Sequence, residues 1–418
     1  MSLAEGVAGR IAYKFYASAA ITPGTAAVSS SDLGASDGQI LRRVASTLAL
    51  TKDTYESQEI RLDRQRGDFR HGVKRATGNI SGELSPLTYE QLFEASMRGT
   101  WAAAITASQS DFTSVSAVNS TSKFIFSAGN PVTKGFRVGM GIRFSSLSDS
   151  DNNSKNFIIT AFGGTSNREL TVYPAPDDMT ADSSFTLTSV GRSLIIPASS
   201  HVSRKVAVEV WNQDVDIARL FTECRVGGFN LQLPPTGLST VEFEFLGRDM
   251  ETYSGGSAPF LTAPAAATTT GLLAAVNGML RVSGERVAVI TGLNIQHQAA
   301  LTGDPVVGSD LLPEIFVGRH LVSGQLTALF EDVDLIDDFR NESEIELLAY
   351  LTTTTAVNSP AMTFFLPRIK LGGASLADQG EGAQIITLPF TALKYETAVA
   401  TAGIENTTLQ IWDSEVTS

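Results

Sequence analysis

The residue types that could do chemistry are few. Four histidines, His71, His201, His297 and His320, and one cysteine, Cys224, are the candidates for acid–base, nucleophilic or metal-binding work. The histidines are scattered, with no His/Asp/Glu spacing suited to a metal, and each reads as a surface or strand histidine. Cys224 lies in an apolar-flanked strand with no histidine nearby in sequence, so a buried, inert thiol is expected. One cysteine excludes a disulfide framework and a cysteine-built zinc site. Asp149-Ser150-Asp151-Asn152-Asn153 starts like a calcium loop, but Ser154 stands where the loop needs glycine and Thr160 where it needs glutamate. It reads as a solvated turn. Gly139-Met140-Gly141 reads as a bend, and no G-x-S-x-G, P-loop or dinucleotide fingerprint occurs in a strand–helix context. No catalytic residue, metal site or cofactor is therefore expected.

Two charge features remain. Arg61, Arg64, Arg66, Arg70, Lys74 and Arg75 place six positive charges within fifteen positions, against Asp63 and Asp68. From Asp304 to Glu346 there are eleven acids against Arg319 and Arg340, a net of −9. A solvated hairpin accounts for the first as well as a contact arm does. A basic loop in one part of the chain and an acidic stretch in another suit self-assembly, because opposite patches steer and register partners.

The elements that must position these residues are mostly strands. The 418 residues suggest two to three domains, and 43% hydrophobic content is enough for a packed core. The net charge of −13 argues against a sequence-reading nucleic-acid binder. No apolar run approaches the ~20 residues of a membrane helix, and the start at Met1 lacks a secretory pattern, so folding in a reducing cytoplasm is expected. Residues 206–211 alternate, and 240–245 alternate more cleanly, with Val241, Phe243 and Phe245 on one face and Glu242 and Glu244 on the other. Such strands have one dry and one wet side, as antiparallel sheets do. Residues 385–391 repeat the pattern, with Pro389 hinting at an edge or bulge. Helices are few. One is predicted from Thr88 to about Arg98, opened by a Thr88–Gln91 capping box and stopped at Gly99; a weaker one spans about Asp332 to Arg340.

The chain also repeats itself. Residues 80–87, ISGELSPL, align without gaps on 322–329, VSGQLTAL, and both lead into the predicted helices. A looser match sets Arg225-Val226-Gly227-Gly228 against Arg368 to Gly373, each shortly before an alternating strand. The parsimonious reading is a duplicated α+β unit. The copies differ by a Ser/Thr/Asn-rich stretch with short strands at 123–127, 136–144, 157–161, 169–173 and 184–189. It suits a small β-barrel or sandwich inserted in a surface loop. The expected division is 1–110 with 193–255 as the first unit, 111–192 as the insert, 256–275 as a linker and 276–418 as the second unit.

The residues that follow carry a resemblance. Ile40-Leu41-Arg42-Arg43-Val44 leads into a strand at 46–51, then Ser57 to Asp63, then Gly72 through Gly78 to Ser85, then Tyr89-Glu90-Gln91-Leu92-Phe93. With 221–226 and Pro234-Pro235-x-Gly237, this succession resembles the tail tube proteins of long-tailed, non-contractile bacteriophages. It covers roughly 40–110 and 195–255 and, through the repeat, about 285–395. The resemblance implies a mainly β (α+β) fold of two tandem tube β-sandwich or barrel domains, each with a flanking helix. It implies self-assembly into rings of sixfold or pseudo-sixfold form that stack into a tube, so a duplicated chain implies three copies per ring. It implies partners in other tail proteins (tape measure, terminator, distal tail) and in double-stranded DNA passing through, no membrane, and a place in the virion after assembly in the host cytoplasm. In that setting Glu83, Glu242 and Glu244 are candidates for the lumen wall, and the 52–75 arm with Arg61, Arg64, Arg66, Arg70, Lys74 and Arg75 for ring-to-ring contact. Another virion ring component and a β-rich carbohydrate-binding protein stay open as alternatives.

Overall fold

Alternating apolar residues become paired strands throughout the computed structural model, which describes residues 3–18, 20, 33–286, 290–331, 333–377, 380 and 382–417. The protein is mainly β, as expected. One sheet runs edge to edge through Ala49–Glu56, Phe69–Glu83, Thr240–Gly247, Ile217–Leu233, Ile290–Gln298, Leu321–Leu329, Ile385–Ala392 and Ala361–Leu371, every neighbour antiparallel. The order repeats after four strands: a hairpin, then the later strand of each half, then the earlier one. The junction between the halves is itself a ladder, Gly228–Leu233 against Gln298–Leu293.

One face of this sheet is dry. Ile80, Phe243, Phe229, His297, Val322 and Ala392 form a single buried row across six strands. The glycines shared by the two matched segments have a common cause. A Cβ on Gly82 would lie 1.9 Å from the Tyr89 hydroxyl, and one on Gly324 would lie 2.1 Å from the Asn294 carbonyl oxygen and 2.4 Å from the Phe390 ring, so an aromatic side chain crowds each glycine and at Gly324 the neighbouring strand's backbone does so as well. Helix Glu90–Met97 packs on the dry face, with the Phe93 ring 5.0 Å from Phe229, 5.1 Å from Phe243 and 6.2 Å from Phe364 of the second half.

The second layer is assembled from Gly9–Phe15, Val206–Asn212 and Asp249–Ser254 in one half, and from Met279–Val282, Ile345–Thr352 and Gln410–Asp413 in the other. Ile217–Leu233 belongs to both layers. Its first residues pair with Asp249–Ser254, its last with Thr240–Gly247. The bend falls at Glu223, whose φ of 51° is left-handed and which lies where the register against Val206–Asn212 shifts by a residue, a bulge. There the Glu223 carboxylate accepts from Lys205 at 2.7 Å and from Arg248, all three side chains being buried.

An eight-stranded antiparallel sheet lies between Thr106 and Ser189, with a separate core that includes Phe112, Phe124, Phe144 and Phe157. It does not hang from the first half. Val138 and Ile158 join Tyr350, Phe365 and Trp412 in one apolar cluster, Gln410 Nε2 donates to the Val138 carbonyl at 2.8 Å, and Arg137 pairs with Glu405 at 2.6 Å. The insert is thus docked over the outer layer of the second half.

Several local expectations change. The capping box does not form: Tyr89 is the N-cap, and the Thr88 hydroxyl bonds Ser85 and Thr268 instead. The helix ends on Arg98 in the left-handed conformation rather than on Gly99, whose Cβ would collide with the Ile195 carbonyl. The weaker helix is Asp334–Arg340; Asp332 lies outside the described residues. The region read as a strand at 136–144 is a strand only from Gly141 to Ser145, after a short helix at Pro131–Lys134. Pro389 marks a bulge, not an edge, because its strand is paired on both sides. The looser Gly-Gly match is out of register: with Ile80 and Val322 equivalent, Phe229 corresponds to Ile369, so Arg225 and Arg368 are not counterparts.

Candidate functional site

The wet face of the long duplicated sheet, Ala49–Glu56 through Ala361–Leu371, is mostly polar, with Ala45, Pro389, Leu321 and Leu329 as exceptions. One row reads Ala45, Ser81, Glu242, Asn230, Gln296, Ser323, Thr391 and Lys370, each opposite the next. The adjacent row reads Glu83, Thr240, Gln232, Asn294, Gln325 and Pro389. Glu83, Glu242 and Glu244 therefore share one face, and their charges are spaced by amides: Asn79 Nδ2 donates to Glu242 at 3.2 Å and Asn294 Nδ2 to Asn230 at 2.7 Å. All three acids stand in the first half. The second half offers Ser323, Gln325, Thr327, Thr387 and Thr391 in the equivalent rows.

Both ends of this sheet are open among the described residues. Val44–Thr47 and Ala49–Glu56 pair only with Phe69–Glu83, and Lys370–Ala377 pairs only with Ile385–Ala392. Residues 44–47 are exposed. These edges are the counterparts of strands that meet in the middle of the chain.

The arm is the long hairpin of Ala49–Glu56 and Phe69–Glu83. Its basic residues are largely occupied inside the chain. Arg61 pairs with Asp63 at 3.1 Å, Arg66 with Glu56 at 2.9 Å, Arg70 with Asp68 at 2.8 Å and Arg75 with Asp53 at 3.1 Å. Hydrogen bonds from Arg61 and Arg70 hold the Asp63 and Asp68 carboxyls below the usual range. Lys74 reaches Asp249 and Asp310, both at 3.1 Å. The basic arm and the acidic stretch therefore meet within one chain, where loop 303–315 buries Leu312 and Ile315 against Val73. Arg64 sits at the tip with φ 57°, and Ile60 and Leu62 beside it are fully exposed.

Three of the four histidines come together in space, while His71 stands on the arm beside Phe69. His201, His320 and His297 stack at the junction of the halves, which the sequence did not signal because a loop, a loop and a strand supply them. Cys224 is buried as expected, and burial pushes its thiol up to about 12. Asp149 caps a short turn at Ser150–Asn152. Among the described residues, no group of three His, Cys, Asp or Glu side chains could hold a metal ion, and no helix is long and apolar enough to cross a membrane.

A tandemly repeated sheet with one dry face, one largely polar face and two open, mutually related edges defines a duplicated antiparallel β-protein. The phage tail tube protein family model matches residues 6–392, so the chain belongs to that family, structural components of the virion tail. A search of curated proteins finds no match.

Proposed function

We propose that three copies of this chain close a pseudo-hexameric ring, that the rings stack into the tail tube, and that genome DNA passes along the polar face. In this reading the protein is purely structural, assembled in the host cytoplasm, with tape measure, terminator and distal tail proteins as partners. The division into a first unit (1–110 and 193–255), an insert (111–192), a linker (256–275) and a second unit (276–418) belongs to the same reading.

The observation that carries it is the junction inside the chain. Two copies of one strand order already join there by a continuous ladder, and the outer edges have the same relationship to each other. Pairing an open edge with its counterpart also removes the exposed backbone groups that invite uncontrolled association. Carrying the internal register across the boundary sets Ala45 of one copy opposite Lys370 of the next, as Gln296 stands opposite Asn230. Eight strands at ~4.8 Å give three copies a circumference of ~115 Å and an untilted backbone diameter of ~37 Å. Two copies would give ~24 Å on the same untilted basis, too narrow for a duplex once side chains line it.

Glu83, Glu242 and Glu244 then face the lumen. Neutral amides and hydroxyls with a few acids offer DNA little to hold, and the acids repel phosphates within a Debye length of ~8 Å. The arm makes the ring-to-ring contact through its tip, where Ile60 and Leu62 are exposed and Arg64 has no ion pair among the described residues, unlike Arg61, Arg66, Arg70, Lys74 and Arg75. The test is cross-linking with electron microscopy. Ala45→Cys with Lys370→Cys should yield oxidised trimers, and the purified chain should form hollow tubes of threefold rings. Monomers that never cross-link and monodisperse globules would overturn the reading.

A further inference from the structure

We propose that the stack of His201, His320 and His297 is a proton-sensitive latch between the two halves of the chain, closed while His320 and His297 are neutral and opening on acidification. His297 takes a place in the buried row that Ile80, Phe243 and Val322 fill with apolar side chains. Its Nδ1 bonds the Ser96 hydroxyl at 2.9 Å, and its Nε2 meets His320 Nδ1 at 3.0 Å. The rings of His297 and His320 stack with centroids 5.2 Å apart, and His201 stacks on the far side of His320 at 5.6 Å. The stack thus bolts the helix and the 196–205 loop of the first half to the Ile290–Leu329 hairpin of the second.

Two facts make this bolt depend on protons. Of the two nitrogens that face each other at 3.0 Å, one must accept, so at least one ring must be neutral. The surroundings also supply cations rather than counter-ions. From the helix come Ser96 and Arg98, and from the 196–205 loop come His201 and Arg204, the latter paired with Glu94. From Ile217–Leu233 come Phe229 and Arg225, the latter paired with Glu314 of the 303–315 loop; Arg319, next to His320, is exposed. The nearby carboxylates are already held by arginines. Burial, then His320 beside it, take His297 down to about 3; burial, then His201 and Arg98, take His320 down to about 4.

The sign follows. These groups bind fewer protons folded than unfolded, so the closed state loses stability as pH falls below ~6.5. Each histidine released on opening multiplies the opening constant about tenfold between pH 7.5 and 5.5, and two released together about a hundredfold. Hydrogen–deuterium exchange of the full chain, corrected for intrinsic rates and followed at 196–203 and 317–324, reads this constant. His320→Phe keeps a stacking ring and removes one of the two ionisations. It should cut the pH response from about a hundredfold to about the tenfold share of His297, whatever it does to stability at pH 7.5. Equal opening at the two pH values in wild type, or an unchanged slope in His320→Phe, would overturn the latch.

Discussion

Glu223→Gln isolates the charge at the bend where one strand passes between layers. The Glu223, Lys205 and Arg248 side chains are each no more than 3% exposed, with Lys205 Nζ 2.7 Å from the carboxylate. Glutamine keeps the shape and one acceptor oxygen, so the loss is the anion, and two buried cations are left facing each other. Breaking a buried ion pair this way costs about 3–5 kcal/mol, against about 1 kcal/mol for a neutral hydrogen bond. At roughly 2.1 cal/mol/K of unfolding entropy per residue, a chain of 418 residues melts with about 0.9 kcal/mol/K, so Tm should fall by about 3–6 °C. Scanning calorimetry of the unassembled chain reads the shift. Adding Lys205→Met to the variant removes one stranded cation and should recover part of the loss. A Glu223→Gln melt within 1 °C of wild type, or no recovery in the double variant, would refute the reasoning.

Two further outcomes are expected. Burial raises the Asp413 carboxyl to about 7, despite hydrogen bonds from the Leu87 and Glu415 amides. Its contribution is therefore present at low pH and lost as pH rises through 7, so Asp413→Asn should gain Tm on wild type between pH 5 and 8; a constant difference would contradict this. Ile60→Asp with Leu62→Asp, at fully exposed positions, should leave folding within ~0.5 kcal/mol and stop growth at single rings in electron micrographs; normal tubes would remove the arm tip from ring stacking.

Strand pattern was the legible part of this fold. Val241, Phe243 and Phe245 declared a dry face because a strand alternates with period two, and the ladder buries those three residues. The repeat at residues 80 and 322 was legible because its eight residues align without a gap, each with a glycine that an aromatic side chain crowds. What failed was non-local. The Gly-Gly match looked aligned in sequence, yet bulges near Val226 and after Leu371 shift the two ladders differently. His201 and His320 lie in loops, where no periodicity reports a neighbour. Pairing between arm and acidic stretch depends on loop 303–315 folding back, which composition alone showed only as opposite charge.

The docked insert has a practical consequence for anyone wishing to display cargo on such a particle. Its strands begin and end in the first half, which suggests a removable ornament. Excising it would bare Trp412, Phe365 and Tyr350 together, a sticky patch on every subunit. A fusion partner belongs instead at the exposed Asn119–Thr121 turn, which Pro176 and Asp178 of the insert already brace, so that the roof stays on while its outer surface is rebuilt.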